Sequence, residues 1–458
     1  MEPEVHPFIE KYLEAGLKQY GRALDSELTQ NFSDLFDGKQ VTQFPKYNSL
    51  IEKYQPTNLA SSRKMSAQPT TTVCDQSQAL ALLQQGLNCM IFGGPGTGKT
   101  YLIQEYLAHL KQRSESQAKL VHIVAPTGKA AAKYAHLRSN ENAVIHCGTY
   151  HRIFSLSERK MIFGKNARHP LQSDILIIDE ISMIDLDTFA EMLQAVLSNT
   201  QIVCVGDIDQ LPALEGKPIF NFLNDLISKA NFFRVHLQKT YRFDQNEVNQ
   251  TRLVRTQGVH FLRKSIKSKF IQTQEIPINQ INHLISEILE TKYNFVTSDK
   301  DFDLKDKNCL LEIYKTLTSE IILCPESLGW VGTARINHLF MEALSGKNHL
   351  PVPIIITKND YQNQLFNGDI GILFKSDDGN IFAAFQDANQ DIRLIRSKSL
   401  HHWQHAFAIT VHKSQGSEFN RITLFLDLNK PEKENHNALL YTAITRAKNE
   451  ARVIFFSS

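Results

Sequence analysis

The chain is poor in the features that carry a protein into or across a membrane. In its 458 residues no apolar run reaches the roughly 18 to 20 positions that a bilayer-spanning helix needs. The opening Met1-Glu2-Pro3-Glu4-Val5 has no basic stretch followed by an apolar one. Cysteine is scarce too: Cys74, Cys89, Cys147, Cys204, Cys309 and Cys324 fall in none of the spacings that hold zinc, and several sit in apolar, strand-like runs. They read as reduced core thiols, so the expectation is a cytoplasmic protein without a disulfide framework. A strong charge of one sign is also missing, with 50 Lys and Arg against 48 Asp and Glu. No global field draws in a polyanion, and a nucleic-acid track has to be a local groove. Arg263, Lys264, Lys267 and Lys269, and later Arg393, Arg396 and Lys398, are candidate clusters that read first as solvated surface.

What is present is more specific. Gly93-Gly94-Pro95-Gly96-Thr97-Gly98-Lys99-Thr100 fits the phosphate-loop pattern at every fixed position. The apolar run Leu87–Phe92 before it reads as a buried strand, and Tyr101–Leu107 after it as a helix. Glycines let the backbone curl so that N–H groups and the helix N-terminus face phosphate; Lys99 reaches the β- and γ-phosphates and Thr100 holds Mg²⁺. A hydrolase needs an acidic pair as well. Asp174-Ile175-Leu176-Ile177-Ile178 reads as a central parallel strand with Asp179-Glu180 at its carboxyl end. Asp179 is expected on Mg²⁺ and Glu180 on the attacking water.

Two further strands end in polar loops: Leu120–Val124 before Ala125-Pro126-Thr127-Gly128-Lys129-Ala130-Ala131, and Ile202–Val205 before Gly206-Asp207-Ile208-Asp209-Gln210. Such loops converge on the ligand crevice of an open α/β sheet. Gln210 is placed to sense the γ-phosphate. With 458 residues, two to four domains are expected.

Together with Tyr241-Arg242, the run Thr410–Phe419 and Leu440–Lys448, these segments resemble the ordered motif set of superfamily 1 helicases. The wording of the glycine loop, the Ala-Pro-Thr-Gly-Lys-Ala-Ala run, Ile181–Asp185 and Phe366–Gly371 is most similar to the RecD family, alpha subunits of exodeoxyribonuclease V (RecBCD). The resemblance covers about residues 70 to 458. It implies an α/β fold of two RecA-like domains with a small β-barrel inserted in the second and a short helical N-terminal region. It also implies ATP and Mg²⁺ as cofactors, 5′→3′ translocation on single-stranded DNA from duplex ends, RecB-like and RecC-like partner subunits, and no membrane.

By the same resemblance, Arg446 and Arg242 reach the γ-phosphate, and Gln76 reads adenine, with neighbouring Gln78 left open. Gly416 and Glu418 link strand and nucleotide, while Pro126, Thr127, Lys129, Thr149, His151, His412 and Ser414 contact DNA. Tyr150 stands where the family more often has Leu.

Residues 1–58, with helix-like periodicity at Ile9, Tyr12, Leu13, Leu17 and Tyr20, form the expected N-terminal region, and 59–72 a linker. The first RecA-like domain is expected over 73–235 and the second over 236–458, interrupted at 350–400 by short alternating runs with turn signals at Asn367-Gly368 and Asp378-Gly379. Asp299, Asp301, Asp303 and Asp306 read as an exposed acidic loop rather than a nuclease centre, so cleavage of DNA is expected from a partner. Three classes stand at this stage: a helicase motor, a nucleotide-dependent switch or clamp-loading ATPase, and a structural subunit without turnover. The motifs after residue 410 favour the first, as does the intact set Lys99, Thr100, Asp179, Glu180, Arg242 and Arg446. Within the first class, a stand-alone helicase remains an alternative to a complex subunit.

Overall fold

The computed structural model describes residues 45–54, 75–112, 117–134, 137–157, 162–213, 219–230, 232–264, 268–297, 306–345, 351–360, 362–376, 379–386, 391–432 and 435–457. The periodic stretch Ile9–Tyr20, the linker 59–72, Cys74, Lys267, Asp299, Asp301, Asp303 and Asp378 lie outside the described residues.

After α1 (Pro45–Lys53), the first unit alternates helix and strand: α2 (Gln76–Gln84), β1 (Asn88–Gly93), α3 (Lys99–Gln112), β2 (Lys119–Ala125), α4 (Gly128–Ala132), β3 (Ala143–Thr149), α5 (Tyr150–Ile153), β4 (Ile175–Ile178), α6 (Leu186–Gln194), β5 (Gln201–Gly206), α7 (Phe220–Lys229) and β6 (Phe232–Leu237). The strands form one parallel sheet in the order β3-β2-β4-β5-β1-β6. Alternate residues serve opposite faces. Cys89, Ile91, Ile177 and Val203 pack with α2 and α3, whereas Met90, Phe92, Ile178 and Cys204 pack with α6 and α7. Burial on both faces is why these strands read as unbroken apolar runs. It also forces their polar chemistry to the carboxyl ends.

Helix α1 belongs to this unit. Leu50, Ile51 and Tyr54 enter its core, and Lys53 Nζ donates to the carbonyls of Leu193 (2.8 Å), in the last turn of α6, and Val196 (2.6 Å), just past it. Burial lowers the Lys53 ammonium to about 8.

The chain then crosses through α8 (Gln245–Gln257) and α9 (Val259–Arg263) into a second parallel sheet. Its elements are β7 (Ile271–Pro277), α10 (Ile281–Thr297), α11 (Lys307–Thr318), β8 (Glu320–Cys324) and α12 (Thr333–Ala343), and, after an insertion, further strands that close the sheet. The insertion is β9 (Val352–Ile356), β10 (Ile370–Lys375), β11 (Ile381–Gln386), β12 (Ile392–Arg396) and β13 (Trp403–His405). The returning elements are β14 (Ala408–Thr410), α13 (Val411–Ser414), β15 (Phe419–Asp427), α14 (His436–Ile444) and β16 (Ala447–Ser457), giving the order β14-β8-β15-β16-β7.

The insertion is antiparallel, β12-β11-β10-β9-β13, with a small core of Ile354, Ile356, Ala383, Phe385 and Ile395. Among the described residues it is an open five-stranded sheet, since no pairing joins β12 to β13. Its other face, Ile372, Phe374 and Ala384, joins the core of the second unit.

Candidate functional site

Between β1 and α3 the chain must turn sharply, and Gly96 and Gly98 do so with φ of 72° and 81°. A side chain there is excluded twice over, because a Cβ on Gly96 would lie 2.4 Å from Arg242 Cβ and one on Gly98 2.2 Å from Gln76 Nε2. Gln76 Nε2 donates to the Thr97 carbonyl (3.0 Å), and Gln76 Oε1 accepts from the Tyr241 hydroxyl (3.4 Å). Gln78, the open alternative, is exposed on α2 and lies off the cavity. Lys99 Nζ donates to the carbonyls of Gly93 (2.5 Å) and Gly94 (2.9 Å). Burial lowers its ammonium, opposed by the carboxylates of Asp207, Glu180 and Asp179.

One strand beyond β5, β4 ends in Asp179 and Glu180. Asp179 is buried and accepts from the Tyr134 hydroxyl (3.0 Å) and the Glu180 N–H (2.9 Å); burial raises its carboxyl. Glu180 holds a left-handed backbone, φ 52°, which aims its side chain back into the cleft toward Lys133 Nζ, 2.9 Å away. Burial acts to raise the Glu180 carboxyl, but Lys133 and Arg446 outweigh it and hold it at about 2.

The second sheet closes the cleft. Arg446 follows α14 and is 5% exposed; its Nε donates to the Thr442 carbonyl (3.1 Å) and its Nη1 to that of Ser417 (3.4 Å). Arg242 Nη2 meets Glu418 Oε1 at 2.5 Å, while its Nη1 is buried with no hydrogen-bond partner among the described residues. A cavity of about 910 Å³ brings together the glycine loop, Gln76, Tyr241, Asp179, Glu180, Gln210, Arg242, Gly416, Glu418 and Arg446. Every expected catalytic and nucleotide-contact residue thus lines one crevice, apart from Gly93, the last residue of β1, and Gly94 after it. Thr100, the second expected Mg²⁺ ligand, lines the same crevice as Asp179.

The expected DNA residues share a local design. Thr149 and Thr410 end their strands and Thr127 stands two residues past β2, and each caps the short helix that follows, accepting from the N–H groups of Arg152 (3.4 Å), Lys413 (3.3 Å) and Ala130 (3.2 Å). Pro126 and Thr127 are half-buried at the end of β2, His151 is exposed with its ring stacked 4.0 Å from Tyr150, and His412 is half-buried, its imidazole lowered by burial. Ser414 departs from expectation: it is fully buried and donates to the Val411 carbonyl (2.6 Å), so its hydroxyl shapes the turn and offers nothing outward. Lys129 faces the insertion. Burial lowers its ammonium, with Asp369 opposing, and Phe366 packs where a Cβ on Gly128 would sit.

Several residues of the site carry no motif signal of their own. Lys133 and Tyr134 lie one turn past the Gly128-Lys129-Ala130 run, and their spacing on a helix start was the available clue. Asp207 is buried and hydrogen-bonded by Gln210 Nε2 and the Tyr441 hydroxyl, both at 3.1 Å. Thr442 Oγ1 accepts from the Leu211 N–H across the two units at 2.8 Å.

A glycine loop on a parallel strand, an acidic pair two strands away, Arg446 from the second parallel sheet's unit and Arg242 on the connection between the two sheets define a P-loop nucleotide hydrolase of two α/β units. Residues 76–215 match the AAA domain family, and residues 405–454 the UvrD-like helicase C-terminal domain. The RecBCD enzyme subunit RecD of Buchnera aphidicola is 27% identical over 82% of this chain and 72% of its own length. The ATP-dependent RecD2 DNA helicase of Deinococcus radiodurans is 25% identical over 84% of this chain and 48% of its own. A solved structure of Pif1 helicases unwinding forked double-stranded DNA is a looser likeness, at 19% identity and a TM-score of 0.48 over 86% of this chain and 93% of its own. Over most of its length the chain is similar to RecD-like helicases of superfamily 1.

Proposed function

We propose that the chain is an ATP-driven motor that moves 5′→3′ along single-stranded DNA, in the cytoplasm, as the RecD-like subunit of an exodeoxyribonuclease V-type complex that processes broken DNA ends. Its enzymatic core is that of an ATP-dependent DNA helicase. The observation that carries the reading is the crevice in which Glu180 and Lys99 of one sheet unit stand with Arg446 of the other and with Arg242 of the connection between them.

The residues fit a nucleotide and its metal. The cradle at Gly96 and Gly98 admits no side chain, the Arg242 Nη1 is a buried donor without a partner among the described residues, and the buried Asp179 carboxylate lines the same crevice as Thr100. Mg²⁺ held by Thr100 and Asp179 would neutralise phosphate charge. Gln76 and Tyr241 bracket the mouth where a base is read. Lys99 pairs with phosphate oxygens, and Glu180, ionised throughout the neutral range, orients the attacking water and takes its proton. Arg446 and Arg242 stabilise the charge that develops as the terminal phosphate leaves. Arg446 comes from across the cleft, so turnover requires the cleft to be closed. Opening after hydrolysis separates the Thr127 and Thr149 turns from the Thr410 turn and steps the strand.

The test is ATP hydrolysis with and without mixed-sequence single-stranded DNA, followed by displacement of a strand from duplexes with a 5′ or a 3′ tail. Stimulated hydrolysis with preference for the 5′ tail is expected. Hydrolysis indifferent to DNA points to a switch ATPase, and displacement from 3′ tails refutes the polarity. Unwinding by the purified chain alone favours a stand-alone helicase over an obligate subunit.

A further inference from the structure

Beyond the cleft, the chain spends two large apolar side chains on solvent at one place: Leu328 is 76% and Trp330 61% exposed, on the turn between β8 and α12. Neither contributes to a core cluster. The turn that carries them is rigid. The N–H of Gly332 donates to the Gly329 carbonyl (3.1 Å), Thr333 to Glu326 (3.1 Å) and Ala334 to Ser327 (3.0 Å), and Glu326 pairs with Lys430 at 2.6 Å. One side of the indole is covered by the Arg335 guanidinium, 4.6 Å from the ring centroid, and Arg335 Nε is buried without a hydrogen-bond partner among the described residues. A flat aromatic ring backed by a cation and held on an ordered turn is a stacking surface.

Its place in the sheet says what stacks there. Strand β14 pairs directly with β8, Cys324 opposite Thr410, so the turn after β8 adjoins the Thr410–Ser414 turn. A cavity of about 530 Å³ joins them: Leu328, Val331 and Gly332 line it on one side and His412 on the other, with Leu211 and Pro212 reaching over from the first unit. We propose that Trp330, backed by Arg335, is a base-stacking platform of the single-strand track, holding one nucleobase beside His412. This rests on the helicase reading above and adds to it a contact made to a base face rather than to phosphate. Stacking of this kind tolerates any sequence, because every base has a π-face.

Tryptophan occurs twice, at Trp330 and Trp403. In the full-length chain carrying Trp403→Phe, Trp330 is the only tryptophan, and its fluorescence should be quenched by a mixed-sequence single strand to a saturating end point. Trp330→Ala should weaken binding of that strand roughly 5- to 100-fold. The dependence of log K on log salt should stay unchanged, since no phosphate contact is lost. Trp330→Phe should keep most of the affinity. Unquenched fluorescence at saturating strand, with Trp330→Ala binding as tightly as the parent, overturns the platform; so does a Trp330→Ala chain that binds DNA normally but no longer associates with its partner subunits. DNA-stimulated hydrolysis measured on the same samples separates the cases. Stimulation with a silent Trp330 removes the platform alone, and no stimulation of the parent chain removes the helicase reading with it.

Discussion

Glu180 shows how much of the chemistry is held by single side chains. Its strained backbone turns the carboxylate into the cleft, and Lys133 keeps it ionised there. Glu180→Gln preserves shape and removes the proposed base, so nucleotide and DNA binding should persist while turnover falls by about 10²- to 10⁴-fold. Wild-type steady-state hydrolysis in that variant would sink the assignment. Arg446 is a different kind of residue, buried and braced by two carbonyls on its own unit so that its charge is aimed before substrate arrives. Arg446→Ala should cut kcat by roughly 10³-fold or more while changing KM for ATP far less. Equal losses in both would assign it to ground-state binding instead. Only through the family resemblance were Arg242 and Arg446 expected on this crevice, while Lys99, Glu180 and Gln210 were legible as candidates in motifs that follow a strand. Lys133, Tyr134 and Asp207 were not, since what qualifies them is a contact: Tyr134 meets Asp179 from 45 positions away, and Tyr441 meets Asp207 from 234.

At the scale of elements, strands were easier to read than their neighbours. β1, β2, β4 and β5 are buried on both faces, which writes them into the sequence as short apolar runs. The weaker signal is at β2 and β3, where His122 and His146 face each other across the ladder with rings 5.2 Å apart. His122 contacts Ser173 Oγ at 3.0 Å, and burial, with His146 adding to it, lowers its imidazole to about 4. The sign follows from linkage. The folded state binds this proton less readily than the unfolded chain, so the stability of keeping His122 neutral is present above about pH 6.5 and is lost as pH falls toward 4. Allowing for solvent screening, about 1 to 2 kcal/mol is at stake. His122→Asn should therefore flatten the loss of thermal stability between those pH values, read as Tm against pH; a parallel, unflattened curve would place the acid sensitivity elsewhere.

At the scale of the whole molecule, hydrogen bonds between the two units join the crevice walls. Leu211, between the Asp207 loop and the second unit, donates its N–H to Thr442 and accepts from Gln415 Nε2 at 3.2 Å. Thr442→Val removes one of these with little change of volume. Basal hydrolysis should survive while stimulation by single-stranded DNA drops severalfold, and full stimulation would show that the bond carries no coupling. The N-terminal region calls for a different cut from the one its periodicity suggests. Residues 1–58 read as a separable segment, but Leu50, Ile51 and Tyr54 are part of the first unit's core. At about 1.5 to 3 kcal/mol for each large buried side chain, a truncation that takes them is expected to destabilise the ATPase itself. Removing residues 1–44 instead leaves α1 seated against Leu193 and Val196. On the proposed reading this shorter deletion keeps the parent Tm and DNA-stimulated hydrolysis of the isolated chain but weakens co-purification with RecB-like and RecC-like subunits. A chain lacking residues 1–44 that assembles normally would move the partner surface elsewhere, and one that loses Tm as steeply as a chain lacking residues 1–54 would show that α1 is not what anchors the segment.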